Sequence, residues 1–222
     1  MATLAAPANY SDYGPLELAV RLRRARLGLG VGMLAIMMLF VSFTSAYVVR
    51  QGLPTLDPRT SQLVHDWLPL PLPGLLFVNT LVLLISSLTI ELARRRVIRH
   101  TSTMNPVLGP ESADRQYALQ WLTLTLVLGF VFLAGQWIVW RELQANGFYL
   151  STGPSSSFLY LLTGTHGVHL MGGIVALLAA AAILFWRASS DSRAVVLDVA
   201  SWYWHFMTVL WIYILCLLEF LR

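Results

Sequence analysis

The stretch LLTGTHGVHLMGGIVALL, residues 161–178, decides the fold, because it places two histidines in a run that is otherwise soluble in lipid. With its flanks the run extends from about 158 to 186, which exceeds the roughly 20 residues that cross a bilayer as a helix. An imidazole in hydrocarbon is costly and needs a partner or a function. His166 and His169 therefore raise three possibilities: a metal site, a proton path, or a contact that holds helices together.

Four more apolar stretches accompany this one. The chain has 222 residues, of which 57% are hydrophobic and only 12% are charged. Such a composition cannot be buried in a single soluble core. The predicted spans are about 27 to 49, 74 to 93, 118 to 140, 158 to 186 and 199 to 221. Hydrocarbon offers the backbone no other partners, so each span must be helical, and we predict an all-α integral membrane bundle of five transmembrane helices.

The arginines predict the orientation of this bundle. All fifteen basic side chains are arginine. Eleven of them lie before the first span or in the segments 94–117 and 187–198, whereas the opposite side carries only Arg50, Arg59, Arg141 and Arg222. The positive-inside bias therefore places the N-terminus in the cytoplasm and the C-terminus in the periplasm. The pI near 9.6 then reflects topology and anionic lipid headgroups, and no nucleic-acid partner is needed to explain it.

The chain is predicted to form one domain. Residues 1–26 are interpreted as a mobile cytoplasmic tail and residues 27–222 as the five-helix domain, since the tail lacks the features of a secretory signal. The loop 50–73 is predicted to be an extended external connection, because its prolines prevent a helix before the second span. The single cysteine, Cys216, excludes an internal disulfide and a multi-cysteine metal site. No internal repeat is visible, which weighs against a transporter.

The second span carries a polar stripe. Thr80, Ser87 and Glu91 fall within about 40° of one another on a helical projection, so this face is expected to meet protein rather than lipid. Glu91 closely precedes the arginines 94–96. We interpret it as an ion-pairing carboxylate at the membrane boundary, with a proton-handling role as the alternative.

The fourth span carries a seam of small residues. Thr165, His169, Gly172 and Gly173 share one face, with His166 at its edge. Small residues let a neighbouring helix approach closely. The glycines would also leave room for an imidazole to hydrogen-bond across to another helix, which would offset its burial. This pattern favours packing over catalysis.

The fifth span opens with aromatic residues that suit a membrane boundary, and His205 lies just inside them. His166 and His169 are expected roughly 12 to 17 Å below the opposite surface, so direct contact with His205 is not expected. Axial haem ligands must lie at one depth, which disfavours a haem site. A metal site lacks an evident third ligand, and a nucleophilic site lacks evident partners. A non-catalytic subunit of a larger complex remains the favoured class.

Two segments carry a family resemblance. FLYLLTGTHGVHLMGG, residues 158–173, and WYWHFMTVLWIYI, residues 202–214, resemble the signature segments of cytochrome c oxidase subunit III, the large accessory subunit of haem-copper oxidases. The likeness extends from the first span to the C-terminus and includes GQWIVWREL, residues 135–143. Five spans rather than seven is similar to the shorter bacterial and quinol-oxidase forms.

The resemblance implies a subunit with no cofactor of its own. It would pack beside catalytic subunit I and subunit II, which carry the haem and copper, hold phospholipid in a cleft and support proton uptake. His166 and His169 match the histidine pair of the family, and Trp204, His205 and Trp211 match its second pattern. These residues, with Gly172 and Gly173, are carried over as structural, helix-packing or lipid-contacting residues.

Two departures from the family pattern concern proton chemistry. Family members usually carry a carboxylate in the helix that corresponds to the first span, but residues 31–47 contain none. Thr208 stands where the family commonly has an aspartate, three residues after the histidine. These differences weaken an active role in proton transfer and leave the scaffold interpretation intact.

The predicted function is that of subunit III in a haem-copper terminal oxidase. The oxidase would transfer electrons from cytochrome c to dioxygen in the aerobic respiratory chain of a bacterial cytoplasmic membrane, and this chain would itself be non-catalytic. The alternatives are subunit III of a quinol oxidase, a nitric-oxide-reductase-associated homologue and a free-standing membrane haem cytochrome. The external loop 50–73 is a candidate contact with a respiratory supercomplex.

Overall fold

The computed structural model describes residues 14–56, 62–64, 67, 72–103, 111–186 and 190–220. Five long helices dominate these ranges, and each is long and apolar enough to cross a membrane. The elements are α1 (Gly14–Gly52), β1 (Thr55–Leu56), β2 (Leu63–Val64), α2 (Leu75–Thr103), α3 (Glu111–Ala145), α4 (Pro154–Phe185) and α5 (Ser190–Phe220). The predicted five-helix membrane bundle is confirmed.

All five helices extend beyond the apolar stretches that predict them, α4 by only four residues at its start. α1 begins at Gly14 rather than near residue 27, so residues 14–26, which were assigned to a mobile tail, are helical. α2 continues to Thr103, and α3 and α5 likewise begin before their apolar stretches. The reason is physical: hydropathy marks where a helix meets hydrocarbon, whereas a helix with polar side chains continues into water until its backbone is interrupted.

The connection between α1 and α2 contains the two short strands. β1 and β2 pair antiparallel, with Thr55 opposite Val64 and Leu56 opposite Leu63. α2 then starts directly after Pro73, whose carbonyl accepts a hydrogen bond from the Leu76 amide at 3.0 Å. The start agrees with the expectation that proline prevents a helix before this point.

Some residues of the sequence predictions lie outside the described part of the chain. They are residues 1–13 of the tail, residues 57–61, 65–66 and 68–71 of the loop 50–73, and the arginines Arg59, Arg187 and Arg222.

α5 lies at the centre of the bundle. It packs against α1, α2 and α4, while α2 and α3 form the most extensive helix pair and α3 also meets α4. Half of the apolar window of α5 is buried within the chain, compared with 6% of the window of α1. We call the end where α1 begins and α2 ends the arginine-rich end of the bundle. α5 therefore determines which side chains of three other helices come together.

Small and polar residues allow α2 and α3 to approach closely. The amide of Asn79 donates a hydrogen bond to the Phe132 carbonyl at 3.3 Å and lies against Gly135, where a Cβ atom would overlap it. Nearer the arginine-rich end, the hydroxyls of Thr89 and Thr125 bond to each other at 2.8 Å. Between helices in lipid, such close contacts and hydrogen bonds replace the hydrophobic effect as the source of association.

This contact leads to a first prediction. Gly135→Ala should lower the stability of the bundle by about 1–3 kcal/mol, because the added methyl group displaces the buried Asn79 amide. The measurement is the thermal unfolding midpoint in detergent. Gly164→Ala is the matched control, since a Cβ atom there meets Trp140 at an ordinary 3.8 Å. Equal midpoints for the two variants would contradict the close approach of α2 and α3.

Candidate functional site

The polar stripe of α2 faces α5. The indole nitrogen of Trp211 donates a hydrogen bond to the Thr80 hydroxyl at 2.9 Å. Ser87 and His205 Nδ1 bond to each other, and His205 Nε2 lies 3.4 Å from a carboxylate oxygen of Glu91. The three positions that the helical projection groups together thus bind two of the motif residues of α5.

Trp204 occupies the centre of the contact between α5 and its neighbours. It is fully buried, and its indole nitrogen donates to the Ser86 hydroxyl of α2 at 3.0 Å. A Cβ atom at Gly173 of α4 would come within 3.2 Å of the Trp204 ring, and one at Gly129 of α3 within 2.8 Å. The indole therefore fits only because two helices present glycine to it. Sequence reasoning identified Gly173 but missed Gly129, which is a lone glycine in an apolar run.

His166 differs from its predicted position. It is completely buried, whereas the helical projection put it at the edge of the packed face. Its ring lies 5.1 Å from the Trp211 ring and 6.1 Å from the Phe132 ring, between centroids. Neither ring nitrogen has a hydrogen-bond partner among the residues that the structure describes. The room beside the glycines is thus not used for a hydrogen bond from His166 to a described residue of another helix, and aromatic side chains from α3 and α5 lie beside its ring instead.

The other residues of the predicted seam behave differently from one another. His169 is half-buried; its Nδ1 lies 2.8 Å from the Thr165 carbonyl of its own helix, and its ring meets Phe40 of α1. The Tyr203 hydroxyl donates to the His169 carbonyl at 3.0 Å. Gly172 is exposed, and a Cβ atom there would meet only that hydroxyl, at 3.8 Å. The buried contact of the seam thus lies at Gly173.

A cluster of ionic groups lies at the arginine-rich end. Arg94 forms two hydrogen bonds of 2.8 Å to the Glu91 carboxylate, and Arg95 adds a third at 2.7 Å. Arg94 also donates to Asp198 of α5 at 2.9 Å. Asp198 in turn accepts two hydrogen bonds from Arg26 of α1, at 2.7 and 2.9 Å. These five side chains, which we call the ionic cluster, join α1, α2 and α5.

Asp198, like Gly129, is a residue that sequence reasoning missed. It lies in the segment 187–198, which comes before the predicted fifth span at about 199 to 221. In the structure α5 already begins at Ser190, and the Asp198 side chain has no exposed surface. A buried carboxylate requires cationic partners, and α1 and α2 each supply an arginine. The sequence would identify Asp198 as a helical residue only if the start of α5 were already known.

The arrangement suits mechanical coupling of helices. His166 lies beside Trp211, whereas His205 lies beside Glu91 nearer the arginine-rich end, so the histidines do not converge. Thr208 donates to the Trp204 carbonyl of its own helix at 3.0 Å. Within the described ranges, no three histidine, cysteine or acidic side chains are grouped so that they could hold a metal ion. The histidine and threonine side chains named above, which could in principle bind a metal or transfer a proton, instead hydrogen-bond to helices or pack against aromatic rings.

Comparison with known proteins agrees with this architecture. Residues 13–221 match the family described as cytochrome c oxidase subunit III. A probable cytochrome c oxidase subunit 3 from Mycobacterium bovis is 29% identical over 143 residues, which are 64% of each chain. Cytochrome c oxidase subunit 3 of Synechocystis is 27% identical over 184 residues, covering 81% of this chain and 67% of the relative. The chain thus spans slightly less than two thirds of the length of the mycobacterial relative.

The Trp204 contact generates a second prediction. Gly173→Leu should push α4 away from α5 and lower the unfolding midpoint strongly, because its side chain would overlap the Tyr203 and Trp204 rings. Gly167→Leu is the control in the same helix, since a Cβ atom there meets nothing within 4 Å. The thermal midpoint and the monodispersity of both variants in detergent provide the measurement. A Gly173→Leu protein as stable as the control would show that the close approach is not needed.

The ionic cluster generates a third prediction. Asp198→Asn leaves Arg26 and Arg94 without their shared carboxylate, and removing one partner from a buried ion pair costs about 3–5 kcal/mol. Because the Arg26 side chain is 46% exposed, we expect the lower end of that range. Glu142→Gln makes the same chemical change at an exposed site and should leave the midpoint unchanged. Equal effects of the two substitutions would show that Asp198 is not a structural partner of the arginines.

Proposed function

This chain belongs to the cytochrome c oxidase subunit III family, and we propose that it is the non-catalytic integral subunit III of a haem-copper terminal oxidase. In this proposal the oxidase lies in a bacterial cytoplasmic membrane and passes electrons from cytochrome c to dioxygen. Catalytic subunit I and subunit II are the partners, and they carry the haem and copper.

One observation carries the non-catalytic role: the family-motif side chains of α4 and α5 are used to pack the bundle. Trp204 fits against two glycines, Trp211 bonds to Thr80, and the buried His166 lies between aromatic rings. A side chain that catalyses must reach a substrate or a cofactor, and burial of this kind denies that access. The motif therefore favours a rigid body that supports a neighbouring subunit.

The proposed role in proton uptake is indirect. Glu91 receives three hydrogen bonds from Arg94 and Arg95, which favours its ionised form as a structural partner over a role as a proton carrier. α1 carries no carboxylate between residues 31 and 47. This chain would then support proton uptake by stabilising the conformation of the catalytic subunit.

The proposed orientation places the arginine-rich end in the cytoplasm. Arg21, Arg23 and Arg24 are exposed on α1 at this end, where they would meet anionic phospholipid headgroups. The exposed apolar faces of the helices would contact acyl chains or the partner subunits. The phospholipid of the proposal is thus held by the surface of the bundle rather than in its interior.

A free-standing haem cytochrome is disfavoured by the placement of the histidines. Axial ligation needs two side chains facing one another at one depth. His166 is enclosed by Phe132 and Trp211, and His205 is bonded to Ser87 nearer the arginine-rich end.

The fourth prediction tests the proposed partner. The full chain, tagged and isolated from its native membrane in mild detergent, should bring down a protein with the visible absorption of haem and with bound copper. The Gly167→Leu variant should retain this partner, while Gly173→Leu should recover less of it. A tagged chain that is well folded but free of any haem-copper protein would overturn the proposal. If the partner oxidises quinol, the chain is assigned to a quinol oxidase instead of a cytochrome c oxidase. If the partner reduces nitric oxide, the chain is assigned to the nitric-oxide-reductase-associated homologues.

A further inference from the structure

The first half of α1 is weakly attached to the bundle. Of its described side chains from Leu18 to Leu39, none is buried. The first buried side chain is Phe40, which meets His169, and the next is Tyr47, which meets Phe158 of α4 at 5.6 Å between ring centroids. α1 is therefore anchored through its second half.

Half-buried apolar side chains such as Leu22 and Leu29 lie along this part of α1, and one described side chain, the tether, ties it to another helix by hydrogen bonds. Within Leu18–Leu39, Arg26 is the described side chain that hydrogen-bonds to another helix, through its two bonds to Asp198. Its guanidinium also lies 5.9 Å from the Trp202 ring of α5. Asp198 keeps Arg94 as a second partner, so loss of the Arg26 contact would free α1 and leave α2 joined to α5.

Three glycines lie between the tether and the anchor. Gly28, Gly30 and Gly32 alternate along α1, and a Cβ atom at any of them would meet no described residue within 4 Å. Close packing against the described part of the chain therefore does not require glycine at these positions. Glycine lowers the stability of a helix relative to alanine. The glycines therefore lower the helix stability of α1 in the stretch between Arg26 and Phe40.

We propose that the part of α1 before Gly32 is a strap that is hinged at the three glycines and latched to α5 by Arg26 and Asp198. With the latch closed, the Asp198 side chain has no exposed surface. Opening the latch swings the strap away from α5, uncovers Asp198 and leaves the second half of α1 in place. The inference concerns the motion of this chain and does not depend on the identity of its partner.

Spin labels on the full chain in lipid nanodiscs, with its co-purifying subunits, test the strap. Cys216 is exposed, so the background is Cys216→Ser. One label pair, Arg23→Cys with Leu92→Cys, reports the distance from the strap to α2. A second pair, Val49→Cys with Ile138→Cys, reports the anchored half, and all four sites are exposed. A bend of about 30° at Gly30 would move residue 23 by roughly 5 Å.

In Arg26→Ala and in the milder Arg26→Gln, which both leave the Arg94–Asp198 pair in place, we expect the first pair to gain a population about 5 Å from its original distance and the second pair to stay unchanged. Arg24→Gln, which alters an exposed arginine of the same helix, should match the parent. Adding Gly28→Ala, Gly30→Ala and Gly32→Ala to Arg26→Gln should remove most of the new population.

Three results would overturn the strap. The first is an unchanged distance for the first pair in both latch variants. The second is an equal change in both pairs, which would mean that the whole bundle loosens. The third is that the alanine substitutions leave the new population intact. The third also includes the case in which the alanine substitutions release a co-purifying subunit and the latch variants keep α1 in place. Release of that kind would assign the glycines to the docking of a partner helix.

Discussion

The packing of Trp204 against two glycines is the contact on which the bundle depends. In lipid, the apolar side chains of separate helices gain little by meeting one another, so helices associate through close contact and interhelix hydrogen bonds. Trp204 supplies both, since its ring fills the space left by Gly129 and Gly173 and its nitrogen reaches Ser86. One side chain of α5 thereby sets its distance from α2, α3 and α4.

Several polar side chains within the bundle also form hydrogen bonds between helices. Thr80 and Ser87 of α2 use their hydroxyls to hold Trp211 and His205 of α5. Not every buried polar side chain has such a partner, since both nitrogens of His166 and the side-chain amide of Gln136 lack a hydrogen-bond partner among the described residues.

The two ends of the bundle are held together by different forces. Away from the arginine-rich end, aromatic contacts of Tyr47 with Trp67 and Phe158 anchor α1. At the arginine-rich end, the ionic cluster performs this task, with the buried Asp198 shared between Arg26 and Arg94. Aromatic packing is insensitive to charge and salt, whereas an ion pair with a half-exposed arginine can be opened. This asymmetry is the basis of the strap proposed for the part of α1 before Gly32.

The sequence by itself determined the number of helices and their approximate spans, because hydrocarbon excludes charge and forces every spanning segment into a helix. It also identified the α2 face of Thr80, Ser87 and Glu91, since a helical projection depends only on spacing. It could not place the ends of α1 and α5 or reveal Asp198 as a buried partner, because helices continue into water without an apolar signal. Nor could it pair Gly129 with Trp204 or bury His166. Those features depend on which helices are neighbours and at what depth they meet, and only tertiary packing decides that.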